Sequence, residues 1–228
     1  MEKTDLAVAF SKGVLGAIPI IGPLMAEIVG HVIPNQRLDR LEKFLLILEE
    51  RVKDVDSEVL KKRFGKEEFI DLLEDGMIHA SRALSDERKE YIASVIENGI
   101  KEENLDAIQK KLILNLLAEL NDAEIIMLQS YGIHPNERNE YFEKHKNVLT
   151  PPQATLGSSP DVIDDKAIYD AQKSHLERLG LLRRRFKKPR RGELPEFDDK
   201  TGMVKAQGYE ITSLGRLLLR NIGLKTWP

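Results

Sequence analysis

The stretch that decides the fold runs from Asp161 to Leu224. Its two informative parts read DVIDDKAIYDAQKSHLERLGLLRRRFKKPRRG (161–192) and YEITSLGRLLLRNIGL (209–224). The first part predicts a helix that ends at Gly180, because its apolar residues recur mostly at three- or four-residue spacing and glycine tolerates the positive φ of a helix end. The second part predicts a short alternating strand, 209–212, and a final helix, Leu214–Ile222. The residues assigned to the buried face of the first helix are Ile168, Ala171, His175, Leu176 and Leu179.

The order helix, strand, exposed loop, strand, helix looks like the back half of a winged helix-turn-helix. The phrases LERLGLLRRR (176–185) and YEITSLGRLLLR (209–220) resemble those of many small bacterial winged-helix proteins. This resemblance implies a recognition module near the C-terminus, without specifying its target. The fold class that we predict is mainly α, a helical bundle followed by a winged-helix-like module with a small β-hairpin.

Composition is typical of a helix-rich globular protein. The 228 residues are 32% charged and 41% hydrophobic, and the formal net charge is −3. A polyanion-binding surface would therefore have to be local. Cysteine is absent, which excludes disulfides, thiolate metal sites and a cysteine nucleophile. The first residues lack the pattern of a standard signal peptide, so we predict a cytoplasmic protein.

Residues 1–36 form an apolar segment rich in glycine and proline. Residues 13–26, GVLGAIPIIGPLMA, carry no charge. They are too few to cross a hydrocarbon core of about 30 Å, which needs about 20 helical residues. We predict two short helices joined near Pro19 and Pro23, packed as a buried hairpin. Two alternatives stay open, a membrane-active segment and a surface for a protein partner or a homo-oligomer; the candidate membrane or assembly residues are Val14, Leu15, Ile18, Ile20, Ile21 and Leu24.

Residues 37–120 predict a bundle of amphipathic helices with short connections. One helix follows Asn35, a second spans Ser57–Phe64, and a third spans Lys66–Leu84. Ser85 is the predicted N-cap of a fourth helix that would end at Asn98–Gly99. The predicted buried face of the fifth helix consists of Leu105, Ile108, Leu112, Ile113, Leu116, Leu117 and Leu120.

Residues 121–228 are predicted to form the winged-helix-like module. Asn121 and Glu124 have the spacing of a capping box, and the helix that they begin would end between Gly132 and Pro135. A more polar helix is predicted over 136–146. Residues 147–160, rich in proline, glycine and serine, predict an inserted linker, or else mark the point where a smaller unit begins.

A run of eight cations is the sharpest local signal in the chain. These residues occupy 14 positions and would lie on the first strand of the wing and in the wing itself, where they could contact phosphates and the adjacent minor groove of duplex DNA. Tyr169, Gln172 and Lys173 would face the groove from the preceding helix. The alternative is a solvated basic loop, or one that pairs with acidic groups, and the acidic second half of the loop, 193–199, favours it. The eight cations are Arg178, Arg183, Arg184, Arg185, Lys187, Lys188, Arg190 and Arg191.

The sequence carries no motif of a known catalytic or metal site. There is no glycine-rich phosphate loop, no H-E-x-x-H, no calcium loop and no nucleophile elbow. No two of the five histidines have the spacing that presents two ligands on one helix face, and His79 and His175 are interpreted as packing residues. We therefore expect a non-enzymatic protein without a cofactor or a metal.

From Gly13 to Tyr131 the chain resembles the Abi-alpha-like bacterial proteins, a family associated with abortive infection. The resemblance rests on the apolar N-terminus, the helical block LLEDGMIHASRALSDERKEYIASVIENGI and the following LLAELNDAEIIMLQSYG. It implies a bacterial, non-enzymatic protein of phage defence and supplies no catalytic residues. The alternative is a DNA-binding transcriptional regulator whose N-terminal half dimerises or senses a ligand.

Overall fold

A computed structural model describes residues 37–102, 106–199 and 202–227, and these residues divide into two compact units. The first unit ends at Glu119 and also includes Asn221–Gly223, and the second begins at Leu120 and contains the rest of the described chain. The described residues are mainly helical with one small antiparallel sheet, as expected. The predicted N-terminal hairpin, with Val14, Leu15, Ile18, Ile20, Ile21 and Leu24, lies outside the described residues.

The first unit is a helical bundle, which confirms that part of the prediction. Helix α4 contacts α1, α3 and α5, and the apolar stripe of α1 is buried. Phe64 and Phe69 meet edge to face in the core, with ring centroids 5.0 Å apart. The helices are α1 (Leu38–Val52), α2 (Ser57–Phe64), α3 (Glu67–Arg82), α4 (Asp86–Lys101) and α5 (Ala107–Glu119).

Ser85 caps α4 as predicted, accepting a hydrogen bond from the Arg88 amide at 3.2 Å. The predicted end at Asn98–Gly99 is wrong, because α4 continues to Lys101. Gly99 is buried within the helix, and the Asn98 carbonyl accepts a hydrogen bond from the Glu102 amide. In a helix interior glycine is only about 1 kcal/mol less favourable than alanine, so tertiary packing can stabilise a helix that continues past Gly99.

The predicted buried face of α5 is partly wrong. Ile113, Leu116 and Leu117 are buried, but Ile108 is 85% exposed and Leu112 is 47% exposed. Lys110 takes an interior position instead, because its ammonium group finds polar partners there. The helix is thus rotated relative to the face that apolar spacing alone predicts.

The second unit is organised around α6 (Asp122–Gly132), which contacts most of the other elements of that unit. The capping box at its start is confirmed: the Asn121 side chain accepts from the Glu124 amide at 2.9 Å, and Glu124 accepts from the Asn121 amide at 2.8 Å. The elements that follow are a 3-10 turn (Pro135–Glu137), α7 (Arg138–Lys144), α8 (Lys146–Leu149), α9 (Pro160–Arg178), β1 (Leu182–Phe186), β2 (Ala206–Ile211) and α10 (Ser213–Asn221).

Two helices of this unit differ from their predictions. The helix predicted over 136–146 is divided into α7 and α8 at His145, whose backbone leaves the helical conformation. Helix α9 ends before Gly180, which has φ +70° as predicted, but its buried face is rotated. Leu176 is buried as expected, whereas Ile168 and Ala171 are exposed and Tyr169 occupies the interior.

Strands β1 and β2 pair antiparallel, with Leu182 opposite Ile211 and Arg185 opposite Gly208. Thr212 joins this hairpin to α10. Its hydroxyl donates to the Gly180 carbonyl at 2.7 Å and accepts from the Gly215 amide at 3.0 Å, so one side chain fixes both the turn after α9 and the start of α10. A Cβ atom on Gly215 would lie 2.5 Å from the Leu181 carbonyl oxygen, so the close approach of α10 to this turn requires glycine.

Candidate nucleic-acid interface

The cations of β1 have different surroundings. Arg183 Nε donates to Glu210 Oε1 at 2.6 Å, across the strand pair. Arg184 Nε donates to Glu177 Oε2 on α9 at 3.1 Å, and this hydrogen bond raises the pKa of Arg184 above its ordinary value. Arg185, the next residue, has no acidic partner among the described residues. Only one of the three consecutive arginines is therefore left with an uncompensated charge.

The cations of the loop after β1 also include both a residue with an acidic partner and residues without one. Lys187 Nζ lies 3.9 Å from Glu196, the longest ion pair of the group. Lys188, Arg190 and Arg191 are exposed, and in the described parts of the chain none of them forms a side-chain ion pair. Glu193 accepts a hydrogen bond from the Arg190 backbone amide at 3.2 Å, so this carboxylate shapes the turn rather than pairing with a guanidinium group. The hairpin thus exposes four unpaired cations, Arg185, Lys188, Arg190 and Arg191.

Helix α9 presents its predicted groove-facing residues differently. Tyr169 is only 8% exposed, and its hydroxyl donates to the Leu149 carbonyl at 3.2 Å, so it holds α9 against α8 and leaves little surface for a groove contact. Gln172 is half-buried and lies beside the exposed Ile168 and Ala171 in a shallow surface pocket. Arg178, at the end of the helix, is exposed.

Lys173 turns into the interior of the second unit. Its ammonium group lies 4.6 Å from the ring centroid of Tyr169 and 5.8 Å from that of Tyr209. These distances are those of cation–π contacts, which hold an ammonium group without neutralising it. Burial raises the pKa of the neighbouring Tyr131 above its ordinary value, although Lys173 acts in the opposite direction.

A cavity of about 470 Å³ lies at this point in the second unit. Residues of α6, α7, α8, α9, both strands and α10 line it, so folding brings together side chains that are far apart in sequence. Its cationic members are Arg138, Lys173, Arg185 and Arg216, and Glu210 is its one carboxylate. Sequence analysis identified Lys173 and Arg185 as candidate site residues. It did not identify Arg138 and Arg216, because these two arginines do not belong to a run of charged residues.

His175 is a satisfied packing residue, as interpreted from the sequence. Its Nδ1 lies 2.7 Å from Glu124 Oε1, and Glu124 is buried at the capping box of α6. His79 lies in the first unit, where burial lowers the pKa of its imidazole below the ordinary value. Within the described ranges, no three histidine or acidic side chains are grouped closely enough to hold a metal ion.

No family model, curated protein or solved structure matches the chain. None of the helices in the described part of the chain combines the length and the apolar character needed to cross a bilayer.

Proposed function

We propose that the chain is a non-enzymatic, cytoplasmic bacterial interaction protein whose second unit binds duplex DNA through the β1–β2 hairpin. The observation that carries the proposal is the set of unpaired cations, Arg185, Lys188, Arg190 and Arg191, in a chain of formal net charge −3. Phosphate contacts from such groups supply most of the sequence-independent affinity for DNA.

The order of elements supports a winged-helix arrangement, in which α9 is the recognition helix and the hairpin is the wing. The exposed side of α9 places Gln172 beside Ile168 and Ala171. Glutamine can make paired hydrogen bonds with adenine, and small apolar groups contact the thymine methyl group. These side chains are suited to base contacts, while the hairpin cations are suited to phosphates.

The resemblance to Abi-alpha-like proteins supports a role in phage defence for this DNA-binding protein. A transcriptional regulator is the second candidate, favoured by the same hairpin cations, since the DNA contact would be common to both roles. Infection of cells that carry the gene with and without the hairpin substitutions described next separates the two. A defence role requires phage resistance to be lost with DNA binding, whereas a regulator changes transcription without changing resistance.

The test of DNA binding replaces three cations of the loop, Lys188→Gln, Arg190→Gln and Arg191→Gln, in one variant. Affinity for mixed-sequence duplex DNA is measured by fluorescence anisotropy between 50 and 200 mM salt. We expect weaker binding, with a salt slope reduced by about 0.9 for each phosphate that the variant no longer neutralises.

The matched control, Lys62→Gln, Lys66→Gln and Lys144→Gln, removes the same charge from exposed residues outside the hairpin. It should leave the salt slope unchanged. Equal losses in the two variants would mean that net charge alone governs binding, and a wild-type protein that does not bind at 50 mM salt would refute the proposal.

A further inference from the structure

The cavity of the second unit is lined by four cations, and none of them forms an ion pair with a carboxylate among the described residues. Arg138 and Arg185 are exposed at its edge, and neither has an acidic partner in the described ranges. The cavity's one carboxylate, Glu210, already accepts from Arg183. Like charges gathered in one cavity repel each other, and the repulsion grows as water is excluded. An anion bound among them would remove this repulsion.

Two of these cations, Arg216 and Lys173, are held in place by uncharged groups, so their positive charge is not neutralised. Arg216 Nε donates to the Trp227 carbonyl and its Nη1 to the Ile211 carbonyl, each at 3.1 Å. Lys173 rests over the Tyr169 ring. Neither arrangement supplies a negative charge, yet each restricts the side chain to the cavity. A site of this kind is organised before the ligand arrives, which lowers the entropic cost of binding.

Five aromatic side chains form much of the remaining wall. Tyr131, Tyr141, Phe142, Tyr169 and Tyr209 all line the cavity. The hydroxyl of Tyr141 donates to the side chain of Gln129 at 2.9 Å, and that of Tyr169 to the Leu149 carbonyl. These contacts fix two of the rings. Lys173 covers the ring of Tyr169, so stacking on a planar group such as a nucleobase falls to the other aromatic rings of the cavity. The volume of about 470 Å³ falls within the range of about 300–1,000 Å³ usual for small-molecule sites.

We propose that this cavity binds a nucleoside phosphate, with the phosphate among Arg138, Arg185 and Arg216 and the base against the tyrosine rings. Guanidinium groups match the geometry of phosphate oxygens, and Lys173 adds a further charge beside them. The proposal goes beyond DNA binding and does not rest on it, because Arg138, Lys173 and Arg216 lie outside the hairpin. Arg185 belongs to both sets of cations.

Isothermal titration calorimetry of the full chain tests the proposal with four probes: adenosine 5′-monophosphate, guanosine 5′-monophosphate, adenosine and inorganic phosphate. We expect at least one nucleotide to bind, and adenosine and phosphate to bind at least about tenfold more weakly, since each lacks one half of the ligand. Equal affinity for inorganic phosphate would reduce the site to a simple anion site and overturn the proposal, as would failure of both nucleotides to bind at millimolar concentration.

The variants Arg138→Gln and Lys173→Gln should each weaken nucleotide binding about tenfold or more, while Lys62→Gln with Lys66→Gln should not. Arg138 is exposed, so its replacement leaves the fold intact. Unchanged nucleotide affinity in the Arg138 and Lys173 variants would place the ligand elsewhere and refute the assignment. Tyr209→Leu should weaken binding of nucleotides but not of phosphate, which checks the position of the base.

The same variants separate this site from the DNA interface. The loop variant with Lys188, Arg190 and Arg191 replaced should keep nucleotide affinity, and Arg138→Gln should keep the DNA salt slope. A single-stranded oligonucleotide with a 5′-phosphate is the last probe. If it binds in the cavity while both free nucleotides fail, the site belongs to a nucleic-acid end and the proposal of a small ligand is refuted.

Discussion

The ammonium groups of Lys89 and Lys110 are buried in the first unit, and each meets a carboxylate, Asp86 at 2.8 Å and Glu102 at 2.5 Å. In the second unit, Lys173 and Arg216 meet aromatic rings and backbone carbonyls instead. A cation paired with a carboxylate is neutralised and serves the fold. A cation that is positioned but not neutralised can still attract an anion, and in the second unit Lys173 and Arg216 are cations of this kind that line a cavity.

The largest expected effect comes from removing the charge opposite Lys110. Glu102→Gln leaves the ammonium group buried among neutral acceptors, the glutamine amide oxygen and the Asn221 side-chain oxygen 2.7 Å away, without a negative charge opposite it. Breaking a buried ion pair costs about 3–5 kcal/mol, and the partial exposure of Glu102 places the expected loss near 3 kcal/mol or below. Urea unfolding followed by far-UV circular dichroism measures it.

The control for this prediction is Glu58→Gln, which breaks the exposed pair between Glu58 and Lys61. Exposed pairs contribute about 0–1 kcal/mol. If Glu102→Gln costs no more than Glu58→Gln, Lys110 is not stabilised by its carboxylate, and its contrast with Lys173 and Arg216 fails.

Features determined by local sequence were predictable, and those determined by distant contacts were not. The capping box of Asn121 and Glu124, the cap at Ser85 and the helix end at Gly180 follow from residues within one turn of each other. Lys110 is buried against Asn221, 111 positions away, so apolar spacing assigned part of the buried face of α5 incorrectly. The cavity combines Arg138 with Arg216 in the same way. The basic run is visible in the sequence, but the pairing of Arg183 depends on Glu210, 27 positions away, which the β1–β2 pairing brings opposite it.

A pair of glycine substitutions compares packing in the two units. In α10, Gly215→Ala would press its Cβ against the Leu181 carbonyl oxygen, a backbone atom that cannot move alone. In α3, the Cβ of Gly76→Ala would meet the end of the Ile96 side chain at 2.9 Å, which can rotate away. Overpacking costs about 1–3 kcal/mol, and alanine returns about 1 kcal/mol of helix propensity at either position.

We therefore expect Gly215→Ala to destabilise the second unit by about 1–2 kcal/mol and Gly76→Ala to change the first unit by less than about 1 kcal/mol. The single tryptophan, Trp227, belongs to the second unit, so its fluorescence follows that unit during urea unfolding while circular dichroism follows both. An unchanged fluorescence transition in Gly215→Ala would contradict the close approach of α10 to the turn after α9.

Acid should weaken the first unit through Glu97. Burial raises the pKa of this carboxyl, but hydrogen bonds from Lys101 at 2.7 Å and Arg51 at 2.8 Å outweigh burial, so its pKa lies below the ordinary value of 4.5. A depressed folded-state pKa means stability that is complete above the unfolded-state value and lost as the pH falls through the folded-state value.

The contribution of the Glu97 carboxylate to stability is measured by comparing Glu97→Gln with the wild type at pH 7 and at pH 3. The measured quantity is the midpoint of urea unfolding, followed by circular dichroism. At pH 7 the variant should be less stable by about 1 kcal/mol, and at pH 3 the difference should shrink because the wild-type carboxyl is then also taking up a proton. A difference that stays constant between the two pH values would show that the ion pairs of Glu97 do not stabilise the bundle.

The smallest effect on stability is expected where the charge is unpaired. Arg138→Gln and Arg185→Gln remove no ion pair among the described residues, so the unfolding free energy should change by less than about 0.5 kcal/mol. Removing one of four like charges also reduces the repulsion among them, so the variant should be as stable as the wild type or slightly more stable. Added salt screens this repulsion and should reduce the difference in unfolding free energy. Tryptophan fluorescence during urea unfolding, at 20 and 300 mM salt, measures both. A loss above about 1 kcal/mol in either variant would make these arginines structural, and their role would then resemble that of Lys89 and Lys110 in the first unit rather than that of a site organised for an anion.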